Sequence, residues 1–125
     1  MSKYNSRKCS CSQGHIHDSR KEAKRCDELH LMQKAGAISG LETQKRYVLI
    51  PAQHEVSGEV YKRGERKGQP KKGRLLEHQC VYIADFDYTE NGVHIVEDTK
   101  GMKTPDYIIK RKLMLYLHGI RVREV

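Results

Sequence analysis

Asp85 and, after twelve intervening residues, the stretch Asp98-Thr99-Lys100-Gly101 carry the groups that hard-cation chemistry needs: two carboxylates and an ammonium. On an extended strand alternate side chains share a face, so Asp98 and Lys100 point one way and Glu97 the other. A hairpin turning at Glu90-Asn91-Gly92 lays Asp85 on the neighbouring strand beside them, because Asn-Gly between apolar runs is a strong tight-turn signal. Oxygen ligands converging at one sheet edge, with a cation held next to them, suit Mg²⁺ or a similar ion. Each acid taken singly would serve equally well as a turn former or surface group.

A second group is Cys9, Cys11, His15, His17, Cys26 and His30. Thiolate and imidazole are the ligands zinc prefers, and Cys26 and His30 fall one helical turn apart. Cys80 lies inside an apolar run and reads as a small buried hydrophobe. His54, His78, His94 and His118 are scattered, with no spacing that suggests a Ser-His-Asp or Cys-His pair. A glycine-rich phosphate loop is absent, which argues against an NTP-driven enzyme.

The elements that must position these groups follow from capping and periodicity. Asp18 and Ser19 are good N-cap residues, Ser19-Arg20-Lys21-Glu22 matches a capping box, and Ala23, Cys26 and Leu29 recur at helical spacing until Gly36 and Gly40. Tyr47–Ile50 and Glu55–Tyr61 read as a hairpin-like pair of strands around Pro51. Cys80–Phe86 and Val93–Val96 form the second hairpin. Thr104 and Pro105 open another helix, closed by Gly119, and Ile120–Val125 ends the chain as a strand. The order implies an α/β domain, a central mixed sheet flanked by helices, spanning 1–125 as one unit with an irregular basic arm over 1–14.

Charge and length narrow the function. Twenty-four Lys and Arg against 16 Asp and Glu give a net charge of +8 over 125 residues, which favours a polyanionic partner. Residues 62–74 hold seven basic residues, one acid, three glycines and a proline. They read as a flexible loop whose Lys62, Arg63, Arg66, Lys67, Lys71, Lys72 and Arg74 would contact nucleic-acid phosphates, with Lys103, Lys110, Arg111 and Lys112 extending the surface. No signature of base reading is visible, so shape or branch recognition is the better expectation. No apolar run reaches the roughly 20 residues of a membrane helix, and the first residues lack a secretory apolar stretch, so a soluble cytoplasmic protein with reduced cysteines is expected.

Tyr82-Ile83-Ala84-Asp85-Phe86 followed by Val96-Glu97-Asp98-Thr99-Lys100-Gly101 resembles the core of the PD-(D/E)XK nucleases, in particular the phage endonuclease I type junction resolvases. Asp18-Ser19-Arg20-Lys21-Glu22-Ala23, with Ala35-Gly36-Ala37-Ile38-Ser39 beyond it, is similar to a family of small phage-encoded proteins described as Holliday junction resolvases or as a domain of unknown function. The resemblance covers nearly the whole chain. It implies a restriction-endonuclease-like core and a Mg²⁺- or Mn²⁺-dependent endonuclease, phage or prophage encoded. Glu22, Asp85 and Asp98 match the metal-binding acids and Lys100 the motif lysine, while Ala84 replaces the proline of the motif's name. The Thr99 carbonyl would add a backbone ligand. Four-way DNA has two equivalent strands to cut, so the substrate implies a homodimer. The motif fits equally a nuclease acting on linear DNA, and a non-catalytic nucleic-acid-binding protein could share the fold. His17 and Cys26 stand where relatives carry bulky apolar or aromatic residues; a zinc ion on Cys9, Cys11, His17 and Cys26 would replace that packing and pin the N-terminal arm.

Overall fold

The computed structural model describes residues 9–14, 16–17, 19–100 and 102–125. Strands β1 (Cys9–Ser10) and β2 (Ile16–His17) pair antiparallel ahead of helix α1 (Arg20–Lys34), and β3 (Ile38–Ile50), β4 (Gln53–Val60), β5 (Pro70–Glu77), β6 (Cys80–Glu90) and β7 (Val93–Asp98) follow. Helix α2 (Pro105–His118) and β8 (Arg123–Glu124) complete the chain. Two compact units form: one from the residues up to Tyr47 together with Tyr82–Val125, the other from Val48–Val81.

The first unit is built on a mixed sheet of order β3-β6-β7-β8, with β6 and β7 antiparallel and β7 and β8 parallel. This is the α/β architecture expected. Asn91 and Gly92, with φ of 52° and 76°, make the two-residue turn whose twist matches the strands it joins. The register then runs from Glu90 opposite Val93 to Phe86 opposite Glu97, and one further step sets Asp85 across from Asp98. Helix α1 begins where Ser19 Oγ accepts the Glu22 N–H at 3.1 Å, satisfying an otherwise orphaned donor. It packs Ala23, Cys26 and Leu29 with Cys11, Ile38, Phe86, Tyr88 and Ile95. Helix α2 starts at Thr104 with Pro105 in its first turn and ends on Gly119 in the left-handed region. It buries Tyr107 and Met114, and the Tyr107 ring lies 6.4 Å from that of Tyr82.

The second unit holds an antiparallel ribbon of β4 and β5, and here the expected strand pairing is wrong. Glu55–Tyr61 does not pair with Tyr47–Ile50: β3 joins β6 in the larger sheet and β4 joins β5. Residues 62–74 are not a loop throughout, because β5 begins at Pro70. Ladder hydrogen bonds use the backbone, so a Lys- and Gly-rich segment can pair without apolar side chains. The connection that remains is hydrogen-bonded rather than loose, with Tyr61 N–H donating to Gln69 O at 3.0 Å and Gly68 N–H to Tyr61 O at 2.9 Å. Gly73 is required in β5, since a Cβ there would lie 2.4 Å from the Glu55 carbonyl oxygen.

Three smaller expectations also change. Cys9 and Ser10 belong to a strand pair rather than an irregular arm; residues 1–8 and His15 lie outside the described residues. Cys80 is half-buried rather than buried, at the start of β6. The terminal strand is confined to Arg123–Glu124, opposite Glu97 and Asp98.

Candidate functional site

Glu22, Asp85, Asp98 and Lys100 come together at the end of the β6–β7 hairpin. Asp85 lies close enough to the Glu22 and Asp98 carboxyls to be influenced by both. Its Oδ2 accepts from the Thr99 N–H at 2.9 Å and the Thr99 hydroxyl at 2.8 Å. Asp98 is buried; its Oδ2 accepts from the Tyr82 hydroxyl at 2.5 Å, and its Oδ1 is 3.5 Å from Lys100 Nζ. That buried Oδ1 has no hydrogen-bond partner among the described residues. The Lys100 ammonium also stands 4.6 Å from the centre of the Tyr107 ring, a cation–π contact that holds it over the site.

The two aspartates respond to this crowding in opposite ways. Burial pushes Asp98 up to about 8, the adjoining Asp85 carboxylate adds to the effect, and Tyr82 and Lys100 offset part of it. Burial also disfavours charge on Asp85. The neighbouring Glu22 and Asp98 carboxyls and the Thr99 N–H and hydroxyl outweigh it and hold Asp85 below its ordinary range. Near neutral pH the pair therefore keeps one proton, on Asp98, between two acids that cannot both ionise cheaply. Carboxylate oxygens crowded in this way are the donor type that hard divalent cations take.

Supports that the sequence did not disclose hold these groups in place. Arg25, one turn after Glu22 on α1, makes a two-point pair with Glu97, Nε to Oε1 at 2.5 Å and Nη2 to Oε2 at 2.9 Å. The Tyr88 hydroxyl donates to the same Glu97 carboxylate. This clamp fixes the first turns of α1, and hence Glu22, against the strand that carries Asp98. A separate cluster joins the Tyr47 hydroxyl to Asp87, with His94 Nε2 2.9 Å from Asp87 Oδ1. Partners separated by 40 or 72 residues leave no local spacing to read.

The thiol group is only partly as expected. Cys11, His17 and Cys26 are buried, and their ligand atoms all lie within 4.8 Å of one another, an arrangement that could hold a metal ion. Cys11 donates its S–H to Cys26 Sγ at 3.4 Å. Burial and the Cys11 contact push the Cys26 thiol up to about 12, so a metal must displace its proton to bind. Cys9 lies directly opposite His17 in the β1–β2 register; its side chain and His15 lie outside the described residues. His30 Nδ1 is 3.5 Å from Cys26 Sγ and 2.8 Å from the Cys26 carbonyl oxygen. His17 Nδ1 is 3.1 Å from Glu22 Oε2, which brings the thiol group into contact with the carboxylates.

Of the basic residues expected to meet nucleic acid, Lys62, Arg63, Arg66, Lys67, Lys72 and Arg74 are exposed and Lys71 is half-buried. Arg66 and Lys71 lie 5.8 and 5.6 Å from the Tyr61 ring centre. Among the described residues no helix is long and apolar enough to cross a membrane.

The fold and site together define an α/β protein with a row of carboxylates and a lysine at the end of its central hairpin. The chain belongs to the family described as "Protein of unknown function (DUF1064)", which matches residues 1–123. No curated protein and no solved structure matches it.

Proposed function

We propose that this protein is a divalent-metal-dependent endonuclease that hydrolyses phosphodiester bonds in branched DNA, with the four-way junction as its substrate. The observation that carries the reading is the row Glu22–Asp85–Asp98 with Lys100 beside it. Glu22, Asp85 and Asp98 would hold Mg²⁺ or Mn²⁺, with the Thr99 carbonyl as a further oxygen. Bound there, the ion would supply a water of lowered pKa and neutralise charge on the scissile phosphate. Lys100 would orient that water or meet the charge that builds on the phosphate oxygens. Tyr82 fixes the Asp98 carboxyl, and Thr99 fixes that of Asp85, so neither acid needs to reorganise. Acids facing a phosphate would weaken a protein that only bound DNA, and this favours catalysis over binding alone. The exposed Lys and Arg of the β4–β5 ribbon and its turn would supply phosphate contacts. The two-fold symmetry of a four-way junction favours a homodimer.

Zinc is the metal we assign to Cys11, His17 and Cys26, with Cys9 as the fourth ligand, because a buried site of thiols and one imidazole suits a structural zinc. Protein prepared without chelator should carry about one zinc per chain, and Cys26→Ser should lower metal content and melting temperature together. Zinc-free protein of unchanged stability would remove the assignment.

The nuclease reading is tested by incubating labelled four-way junction, linear duplex and single strand with and without Mg²⁺. Metal-dependent cutting of the junction in preference to the other two is expected. Preferential cutting of linear duplex would move the substrate, and no cutting of any of the three would overturn the reading.

A further inference from the structure

A line of polar groups joins the two candidate metal centres. Cys26 and Glu22 are four residues apart on α1, one turn of the same helix. His17 stands between the sites: its ligand atom is within 4.8 Å of both sulfurs, and its Nδ1 is 3.1 Å from Glu22 Oε2. Glu22 in turn reaches Asp85, and Asp85 reaches Asp98. His17 and Glu22 are both almost fully buried, with side chains 1% and 5% exposed, so water competes little for this contact.

An imidazole has two nitrogens, and what one binds decides what the other presents. With Nδ1 facing Glu22, a metal at the thiols would take the other nitrogen, Nε2, which is also buried. A metal on Nε2 requires its lone pair, which places the ring proton on Nδ1 and aims it at the Glu22 carboxylate. Metal-bound histidines are commonly oriented by such a carboxylate. Here that carboxylate has a second neighbour, the acid row.

We propose that His17 couples the Cys11–His17–Cys26 centre to the carboxylate row, so that a metal ion held by the thiols sets the position of Glu22 and with it the affinity of the row for a divalent cation. His17 is a positioning residue in this scheme and touches neither substrate nor the reacting atoms. The proposal rests on the row binding a cation, and is independent of whether that cation serves a nuclease. Coupling of this kind is reciprocal, so a cation at the row must also be felt at the thiols.

Both directions can be measured on the intact chain. In zinc-loaded protein, Mn²⁺ binding followed by electron paramagnetic resonance should be about 10- to 100-fold tighter for the wild type than for His17→Cys. That variant can keep zinc on four thiols but has no nitrogen to offer Glu22; its zinc content and circular dichroism report whether it folds. In wild-type protein carrying one equivalent of Co²⁺ in place of zinc, adding Mg²⁺ should shift the cobalt–thiolate absorption bands, a signal a purely structural metal would not give. This arm needs no variant and stands if His17→Cys fails to fold. Equal Mn²⁺ affinities in folded, zinc-loaded wild type and variant would overturn the coupling, as would cobalt bands unmoved when Mg²⁺ saturates the row by calorimetry. Absence of any Mn²⁺ or Mg²⁺ binding to the wild type would overturn the cation site itself, and the coupling with it.

Discussion

Asp98 is the most perturbed acid of the row. Burial, and the carboxylate beside it, push its carboxyl up from the ordinary 3.8 to about 8. A raised carboxyl pKa means that the folded state holds its proton more tightly than the unfolded chain does. The stability this group contributes is full below about pH 4 and is lost as pH rises through 8. Asp85, held down, acts in the opposite sense: its contribution is present at neutral pH and fades only in acid. In chelator, the melting temperature should therefore fall between about pH 4 and 8 and level off above that, and Mg²⁺ should restore it. Calorimetry in buffers of different ionisation enthalpy should show a proton released on Mg²⁺ binding near neutral pH, with release fading above about pH 9. Binding with no proton release at neutral pH would mean that Asp98 is already ionised.

Arg25 makes a second argument at this scale. Glu97 is fully buried, and Arg25 is its charge partner. Removing one member of such a pair leaves an uncompensated buried charge, so Arg25→Ala should cost about 3–5 kcal/mol in chemical denaturation. A loss under about 1 kcal/mol would show that the Tyr88 hydroxyl suffices to hold Glu97. Asp85, Asp98 and Lys100 were legible in the sequence because an Asn-Gly turn fixes a register, and a register fixes faces. Glu22 was not legible in that way; its place in the row came from family resemblance, and its meeting with Asp85 depends on how α1 is set against the sheet. Arg25, Tyr82 and Tyr88 were invisible, since a polar side chain announces nothing about a partner many residues away.

At the scale of elements, helices α1 and α2 were readable from their caps: Ser19 at one start, Thr104 and Pro105 at the other, and Gly119 at an end. The β4–β5 ribbon was not. Its second strand begins PKKGR, a composition that signals a loop, and only the backbone ladder and the close approach of Gly73 to Glu55 make it a strand. Val56 is 96% exposed within β4, so apolar burial does not define this ribbon either. If the ribbon and its turn meet DNA, changing Lys67, Lys71 and Lys72 together to Ala should weaken junction binding. It should also make log affinity against log salt shallower, by about one unit for each phosphate that is no longer neutralised. An unchanged slope would assign the phosphate binding to the basic residues near α2 instead.

At the scale of the whole molecule, a chain with a +8 net charge brings three acids together at the end of one hairpin, and under the proposed function binding and chemistry would belong to different residues. Attraction to DNA would come from the basic surface, and hydrolysis from the row. The two should separate in Asp98→Asn, which removes a cation ligand while leaving every Lys and Arg in place. Junction affinity measured in chelator and junction cleavage measured in Mg²⁺ should be compared for this variant and the wild type. Binding should be unchanged and cleavage should fall to the metal-free background. Cleavage by Asp98→Asn at the wild-type rate would contradict the assignment of the row as the catalytic centre.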